Sequence, residues 1–422
     1  MFLLRQVRRS QFLTHNAVFF AGSVAVGALN YLYYPVLGRL LEPASFGEVQ
    51  ALISLSLQIT IFLTVLGLVT VNIVANYDDP QRRNAVVLEF EKLALCISMI
   101  FLLVTVIFQN SLKHFLQFES SVPFILLVLS LVFTVPLVFR GSFLRGRQKF
   151  GLASVTNMVA ASGKLVFSVI LVLLGLGTAG AIGGLVLTQI VAACLAAWWA
   201  FRLGLKRPPE HKLIQLPRFK LLAPELKYGG LVLAGSLVVT LMYSLDVVIV
   251  KHFFDPHTAG LYAGVASVAR IIFFLTASIA LVLMPHVKIS AVPGENARYF
   301  KRSLLLLLAV SLPVLLIFIA FPDLVVRMLM GNDYREVSYL LPTLGVAIFT
   351  VSVINLVVSY YLALRRFAVA PAIIIGGAVT YGLMLTHHAE LASVVNSLLI
   401  GSAIMLCLLG IWAAYSRVKE SV

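Results

Sequence analysis

The sequence predicts an all-α polytopic membrane protein of about twelve transmembrane helices in two bundles of six, and three observations predict it. Sixty per cent of the 422 residues are hydrophobic and 12% are charged, with a mean hydropathy of +1.00. A soluble domain carries roughly 25% charged residues. Apolar runs of about 20 residues, enough to cross the hydrocarbon at about 1.5 Å per residue, recur along the whole chain. One conspicuous polar connection, FRLGLKRPPEHKLIQLPRFKLLAPELK at 201–227, separates them into two sets.

Taken in order, the expected spans of the first set are 15–38, 46–75, 88–109, 122–144, 152–175 and 178–203. Those of the second are 226–250, 258–284, 303–321, 336–362, 367–386 and 390–415. The domain reading is an N-terminal bundle at 1–203, a cytoplasmic linker at 204–225 and a C-terminal bundle at 226–422. Six is even, so both bundles start on the same membrane face, which makes them a parallel rather than an inverted repeat. MFLLRQVRRS is a basic leader. The apolar segment behind it is too long for a signal-peptide core and has no small-residue cleavage site, so the first span is expected to insert as the signal itself.

The net charge of +15 at first suggests nucleic acid, but the distribution of the charges removes that reading. Of the 32 Lys and Arg, 25 fall on one face, five on the other (Arg39, Lys113, Lys251, Arg327 and Arg335), and Lys164 and Arg270 lie within spans. This asymmetry is the positive-inside rule and places both termini in the cytoplasm. No nucleic-acid partner is expected. Cys96, Cys194 and Cys407 all fall within apolar spans and are expected to be buried free thiols.

A small turn is written twice, as RLLEPASFGEV at 39–49 and HFFDPHTAGLY at 252–262. Pro43 corresponds to Pro256, Gly47 to Gly260, Glu42 to Asp255 and Ser45 to Thr258. Each copy joins the first and second helix of its half. The prolines are expected to stop the preceding helix. Ser45 and Thr258 are expected to cap the next one, with Glu48 completing a capping box. A weaker echo links FLRGRQKFGLAS (143–154) with LALRRFAVAPA (362–372), both short basic inner turns.

Chemistry is sparse. No phosphate-binding G-x-x-x-x-G-K-[ST] loop, H-E-x-x-H, C-x-x-C or G-x-S-x-G motif occurs. The outer loops are too short to hold acid/base residues, so no enzyme, no cofactor and no metal site are expected. His387 and His388 form the only histidine pair, and no metal site is expected there. What remains is charge and aromaticity in the membrane. Asp246, in LMYSLDVVIVKHFF, is the one carboxylate of seventeen assigned to the apolar zone. Such a charge is expensive and tends to face a cavity or a partner. It is the candidate coupling-ion site, or the counter-charge of a buried base. Lys164 and Arg270 are candidate substrate-binding bases on a water-filled path. Arg140 and Arg39, nearer span ends, are further candidates for which snorkelling is the simpler reading. Tyr31, in NYLYYP, and Tyr360, in SYYLALRR, are either interfacial belt residues or rings that stack on sugar faces.

Several stretches together carry a family resemblance. They are N-x-x-F-F-A-G-S at the start of span one, LGRLLEPASFGEVQAL, FLRGRQKFG, GLGTAGAIGGLVLTQIV, SLDVVIVKHFFDPHTAGLYAGVASVARI and LMPHVKIS. The chain resembles the polysaccharide-biosynthesis or O-antigen flippases of the multidrug/oligosaccharidyl-lipid/polysaccharide (MOP) superfamily. The resemblance implies a MOP-flippase-like pair of six-helix bundles working by alternating access. It implies a lipid-linked oligosaccharide, on undecaprenyl diphosphate or a related carrier, moved across the bacterial cytoplasmic membrane. Membrane lipids, and a polysaccharide polymerase or glycosyltransferases, are the partners it implies. The competing readings are a cation-coupled multidrug exporter of the same superfamily, a non-transporting scaffold of a polysaccharide synthase, and a membrane glycosyltransferase or ligase.

Overall fold

A computed structural model describes residues 25–77, 79–206, 219–287 and 294–421. The basic leader, the start of the first expected span (15–24) and residues 207–218 of the expected linker lie outside these residues, while the end of that linker, 219–225, is already helical as part of α7. The described chain is helical throughout, without a strand. In order the helices are α1 (25–40), α2 (Pro43–Asn76), α3 (Pro80–Phe115), α4 (Val122–Gly146), α5 (Phe150–Leu171) and α6 (Gly177–Arg202). There follow α7 (Phe219–Phe253), α8 (Pro256–Ala269), α9 (Ile271–His286), α10 (Glu295–Ala320), α11 (Pro322–Leu329), α12 (Leu341–Ala363), α13 (Ala370–Thr386) and α14 (Leu391–Ser421).

Among the described residues, eight helical stretches are long and apolar enough to cross a membrane, and the bent pair α8–α9 makes a ninth. One of the eight, Phe150–Arg202, is 53 residues long and contains both α5 and α6. Counting those two separately, and adding the 17-residue α13 and the described part of α1, gives the expected twelve. Two differences are informative. The expected span 258–284 is broken at Arg270, where α8 and α9 meet at 40°. The α5–α6 turn is a short π-helical stretch at Val172–Leu176 closed by Gly175 (φ 83°) and Gly177 (φ 48°), a left-handed backbone that glycine adopts without strain.

The helices pack as two compact units that interleave along the sequence, made of the described residues of 1–40, 62–113 and 119–229 in the first and of 41–61, 114–118 and 230–422 in the second. In the first unit, α6 lies so close to α5 that a methyl on Gly184 would sit 2.4 Å from the Ser168 backbone nitrogen. Ser168 Oγ donates to the Ala181 carbonyl at 2.7 Å across the same contact. In the second, Gly376 abuts Met405 and Gly401 abuts Thr380, joining α13 to α14. Lipid offers no hydrophobic drive between helices, so small residues that let backbones approach supply the association.

Local expectations need four corrections. The duplicated prolines open the following helices, at the first position where a missing N–H costs nothing. The cap of α8 is therefore the residue before the proline. Asp255 accepts from His257 N at 3.1 Å and Thr258 N at 3.0 Å, and Thr258 is a donor in the first turn rather than the cap. Ser45 occupies the same first-turn position in α2, not the cap. Second, the three cysteines are free but exposed on the helix surfaces, not buried among side chains. Third, Glu91 is 3% exposed, so Asp246 is not the only carboxylate in the apolar interior. Fourth, Lys251, assigned from sequence to a loop, is fully buried at the end of α7.

The weaker echo of the inner turns is reproduced at atomic level. Arg147 N, Gln148 N and Lys149 N donate to the carbonyls of Phe143, Arg145 and Leu144, and Leu364 N, Arg365 N and Arg366 N donate to those of Tyr360, Leu362 and Tyr361. Both are Schellman-type endings. In each, a non-glycine residue takes the left-handed conformation, Gln148 at φ 57° and Arg365 at φ 52°.

Candidate functional site

The first unit contains a cavity of about 200 Å³ between α1, α5 and α6, lined among others by Asn30, Asn157, Lys164, Thr188 and Gln189. Its position follows from helical spacing. Asn157, Ala160, Ala161 and Lys164 recur at three- and four-residue intervals along one face of α5, and Leu185, Thr188 and Gln189 do so on α6. The alanines keep the space open, and the amides make it polar. Lys164 lies over the rings of Tyr33 and Tyr34, with Nζ 4.0 and 5.3 Å from their centroids. Such contacts partly offset desolvation of an ammonium. No carboxylate pairs with Lys164 among the described residues. Gln189 Oε1 is buried at the same cavity without a hydrogen-bond donor. Asn30 Nδ2 is occupied by the Val26 carbonyl at 3.0 Å. The cavity therefore offers one cation, one unmatched acceptor in Gln189 Oε1, and amide donors. That set suits an anion carrying hydroxyl groups.

The second unit holds the other mid-span base in the opposite condition. Arg270 Nη2 donates to Asp246 Oδ1 at 2.6 Å, and Tyr262 Oη donates to Oδ2 at 2.9 Å. The two charged side chains are 6% and 1% exposed. Asp246 comes from α7, Tyr262 from α8, and Arg270 from the residue at which α8 breaks into α9. Both carboxylate oxygens are thus engaged, while Arg270 Nε remains buried without a partner. Broken spans often mark substrate sites in transporters, but here the break presents a neutralised pair.

The remaining candidates are scattered. Arg140 on α4 binds Glu91 on α3, with Nη2–Oε1 at 2.9 Å and Nε–Oε1 at 3.0 Å; its side chain is 31% exposed against 4% for Glu91. Arg39 is exposed at the end of α1. Tyr31 lies 6.4 Å from Tyr34, one ring away from Lys164. Tyr360 packs on Phe300 at 4.9 Å in the second unit, inside an apolar cluster. The structure thus groups Lys164 with Tyr31 in one unit and Asp246 with Arg270 in the other. Reading the sequence missed Glu91, Asn30, Asn157 and Gln189. Glu91 was recoverable, since it sits within the run 88–109 that was itself expected to span. The amides carried no separate signal, because a single Asn or Gln in an apolar run is common to packing and to binding.

Comparison with known proteins gives these features a family. The sequence profile of the family described as "Polysaccharide biosynthesis protein" matches residues 36–339. A Shigella flexneri protein named for O-antigen transport is 23% identical over 198 residues, 47% of this chain and 46% of its own length, so the match spans about half of that relative. Among solved structures, an inward-facing multidrug resistance MATE family transporter of the MOP superfamily superposes with a TM-score of 0.75 at 14% identity, covering 93% of this chain and 96% of that one. The lipid II flippase MurJ in an inward closed conformation does so with 0.74 at 12% identity, covering 94% and 87%. At these identities the two structures establish the fold, which is the MOP-type all-α transporter fold expected from the sequence. The family indicates a transporter rather than an enzyme, in a multi-pass membrane protein. On the profile match over more than half its length, the chain belongs to the polysaccharide biosynthesis protein family.

Proposed function

We propose that this protein is a flippase that moves a lipid-linked oligosaccharide from the inner to the outer leaflet of the bacterial cytoplasmic membrane by alternating access, for polysaccharide or O-antigen export. A diphosphate head bearing sugars cannot cross hydrocarbon unaided. It needs a hydrated route with compensating positive charge while the lipid tail stays in the bilayer. The observation that carries this reading is Lys164, a lysine within a span, in a polar cavity, with no acid beside it among the described residues. An unmatched cation within a span is costly, and an anionic cargo relieves that cost during transit. The orientation follows the basic residues, with both termini cytoplasmic. Undecaprenyl diphosphate is the carrier that the family resemblance suggests, and membrane lipids surround the lipid-facing surface. Polymerase or glycosyltransferase partners belong to the same proposal.

The relative named for O-antigen transport supports this reading over drug export. A multidrug exporter of cationic compounds needs accessible acids in the membrane. Here Asp246 and Glu91 are each held by an arginine, at 2.6 and 2.9 Å. Asp246 is accordingly assigned as the counter-charge of Arg270 rather than as a coupling site. Deleting the gene should leave a lipid-linked glycan accumulating on the inner leaflet, with resistance to cationic drugs unchanged. Loss of drug resistance without glycan accumulation would favour the exporter. Restoration of export by a Lys164→Gln protein at normal abundance would favour a scaffold.

A further inference from the structure

Twelve spans with both termini on the basic face leave six turns on the opposite face, and one of them is unlike the rest. The connections α1–α2, α3–α4, α7–α8, α10–α12 and α13–α14 each carry a carboxylate: Glu42, Glu119, Asp255, Asp323 and Glu390 in that order. The α5–α6 turn carries none. Between Ser168 and Thr178 there is no polar side chain, and from Leu165 to Phe201 no charged one. At the tip, Leu173, Leu174 and Leu176 are 68%, 70% and 53% exposed. A turn that faces water is normally built from small and polar residues. Three exposed leucines there form an apolar patch that calls for a partner.

The backbone of this turn is also built unlike a loop. The π-helical stretch Val172–Leu176 carries the helical pattern from α5 into α6, so that the chain is helical throughout from Phe150 to Arg202. Val172 N–H donates to the carbonyls of Ser168 and Val169. A methyl on Gly180 would lie 2.8 Å from the Leu171 carbonyl oxygen, so the start of α6 covers the end of α5. The two flanking hydroxyl residues, Ser168 and Thr178, are buried. Hydrocarbon tolerates only backbone whose N–H and C=O groups are satisfied within the protein, and a turn made of helix meets that demand.

The tip continues a lipid-facing stripe. Val166 and Ile170 are exposed one helical turn apart on α5, and Leu173 and Leu174 follow at the next interval. On α6, Leu176 and Leu187 are exposed about three turns apart along one face. Length agrees with this placement. Helix α5 has 22 residues and starts at Phe150, directly after the basic turn of Arg145, Arg147 and Lys149. At about 1.5 Å per residue it reaches about 33 Å, against roughly 30 Å of hydrocarbon. The tip therefore arrives at the boundary of the acyl chains, not beyond the headgroups.

We propose that the α5–α6 turn is immersed in the leaflet opposite the basic face, and that its partner is lipid acyl chains. The leucine tip then leaves no polar collar at that edge of the first unit, and lipid moving along α5 and α6 meets an apolar surface over the length of the hairpin. This immersion is a property of the turn and the membrane, and it holds whatever the cargo is.

The test uses the full-length protein in a background lacking Cys96, Cys194 and Cys407, with a single Leu174→Cys or, as the water-exposed control, Glu119→Cys. Each is spin-labelled and reconstituted in vesicles of phosphatidylethanolamine and phosphatidylglycerol that contain no other protein. At 174 the label should collide more with molecular oxygen, which enters acyl chains, than with a water-soluble nickel chelate; at 119 the order should invert. In native membranes an impermeant maleimide should label Glu119→Cys and lose its reaction at Leu174→Cys. Should Leu174→Cys not insert, Leu176→Cys on the same tip is read in the same way. Nickel excess at 174 in the vesicles overturns the immersion. Joined to protection in native membranes, it would mean that a second protein covers the turn. Maleimide labelling at 174 in native membranes overturns the immersion as well, and would place the turn in water.

Discussion

Lys164 and Arg270 are both single bases written into apolar spans, and the fold treats them in opposite ways. Arg270 is locked on Asp246, with Tyr262 completing the carboxylate's second oxygen. Lys164 stands over two tyrosine rings at a polar cavity, with no carboxylate beside it among the described residues. A base with a carboxylate partner holds helices together; a base without one, in a space that admits solutes, is available to a ligand. The difference teaches that burial of a charge in a membrane span does not by itself indicate function. What indicates it is whether the fold has already supplied the counter-charge.

The sharpest way to break this comparison is to remove one half of the locked pair. Asp246→Asn leaves Arg270 buried without compensation, and the expected loss is about 3–5 kcal/mol of stability. Abundance in the membrane should fall sharply, and Asp246→Asn combined with Arg270→Gln should recover it. Normal abundance of the single variant would show that the pair is not structural. Lys164→Gln should do the reverse. No partner is orphaned, so abundance should match the unaltered protein while glycan export is lost. Lys164→Arg keeps the charge and should retain part of it.

A smaller effect is expected where the same pairing is less buried. Glu91→Gln orphans Arg140, but that side chain is 31% exposed and can reach water. Abundance should drop by less than for Asp246→Asn, and quantitative blotting of the two variants side by side checks the order. The smallest effect concerns the cap of α8. Asp255→Ala should cost about 1 kcal/mol or less at neutral pH, since the position is exposed. The side-chain hydroxyl and backbone N–H of Thr258 hold the Asp255 carboxyl below its usual range. A depressed carboxylate value means that the contribution is whole at neutral pH, starts to fade below the ordinary carboxylate range and is lost through the lowered value. Thermal stability of the two proteins in detergent should therefore converge as the pH falls into that range.

Much of the fold was legible in the sequence because the bilayer imposes few solutions. Run length, charge asymmetry and one polar connection led to an all-helical transporter, and the repeated turn at 39–49 and 252–262 marked where the second helix of each half begins. Details that depend on three-dimensional neighbours were not legible. Asp255 rather than Thr258 caps α8, because the proline fixes the first helical position and moves the cap back. The break at Arg270 has no proline or glycine to announce it. Of the site, Lys164, Asp246 and Arg270 were visible as misplaced charges, but nothing in their spacing told which base the aspartate would take. Asp246 and Arg270 are 24 residues apart and on different helices, so their pairing is a property of packing alone.

The most direct test of the central claim is a flipping assay in reconstituted vesicles with a labelled lipid-diphosphate oligosaccharide, comparing Lys164→Gln with the Asp246→Asn/Arg270→Gln double variant at equal protein content. The account predicts that the double variant, its pair removed whole, still moves the lipid, whereas Lys164→Gln leaves it in the leaflet where it started. Transport by Lys164→Gln at the unaltered rate, with loss in the double variant, would contradict it and transfer the cargo site to the Asp246–Arg270 pair.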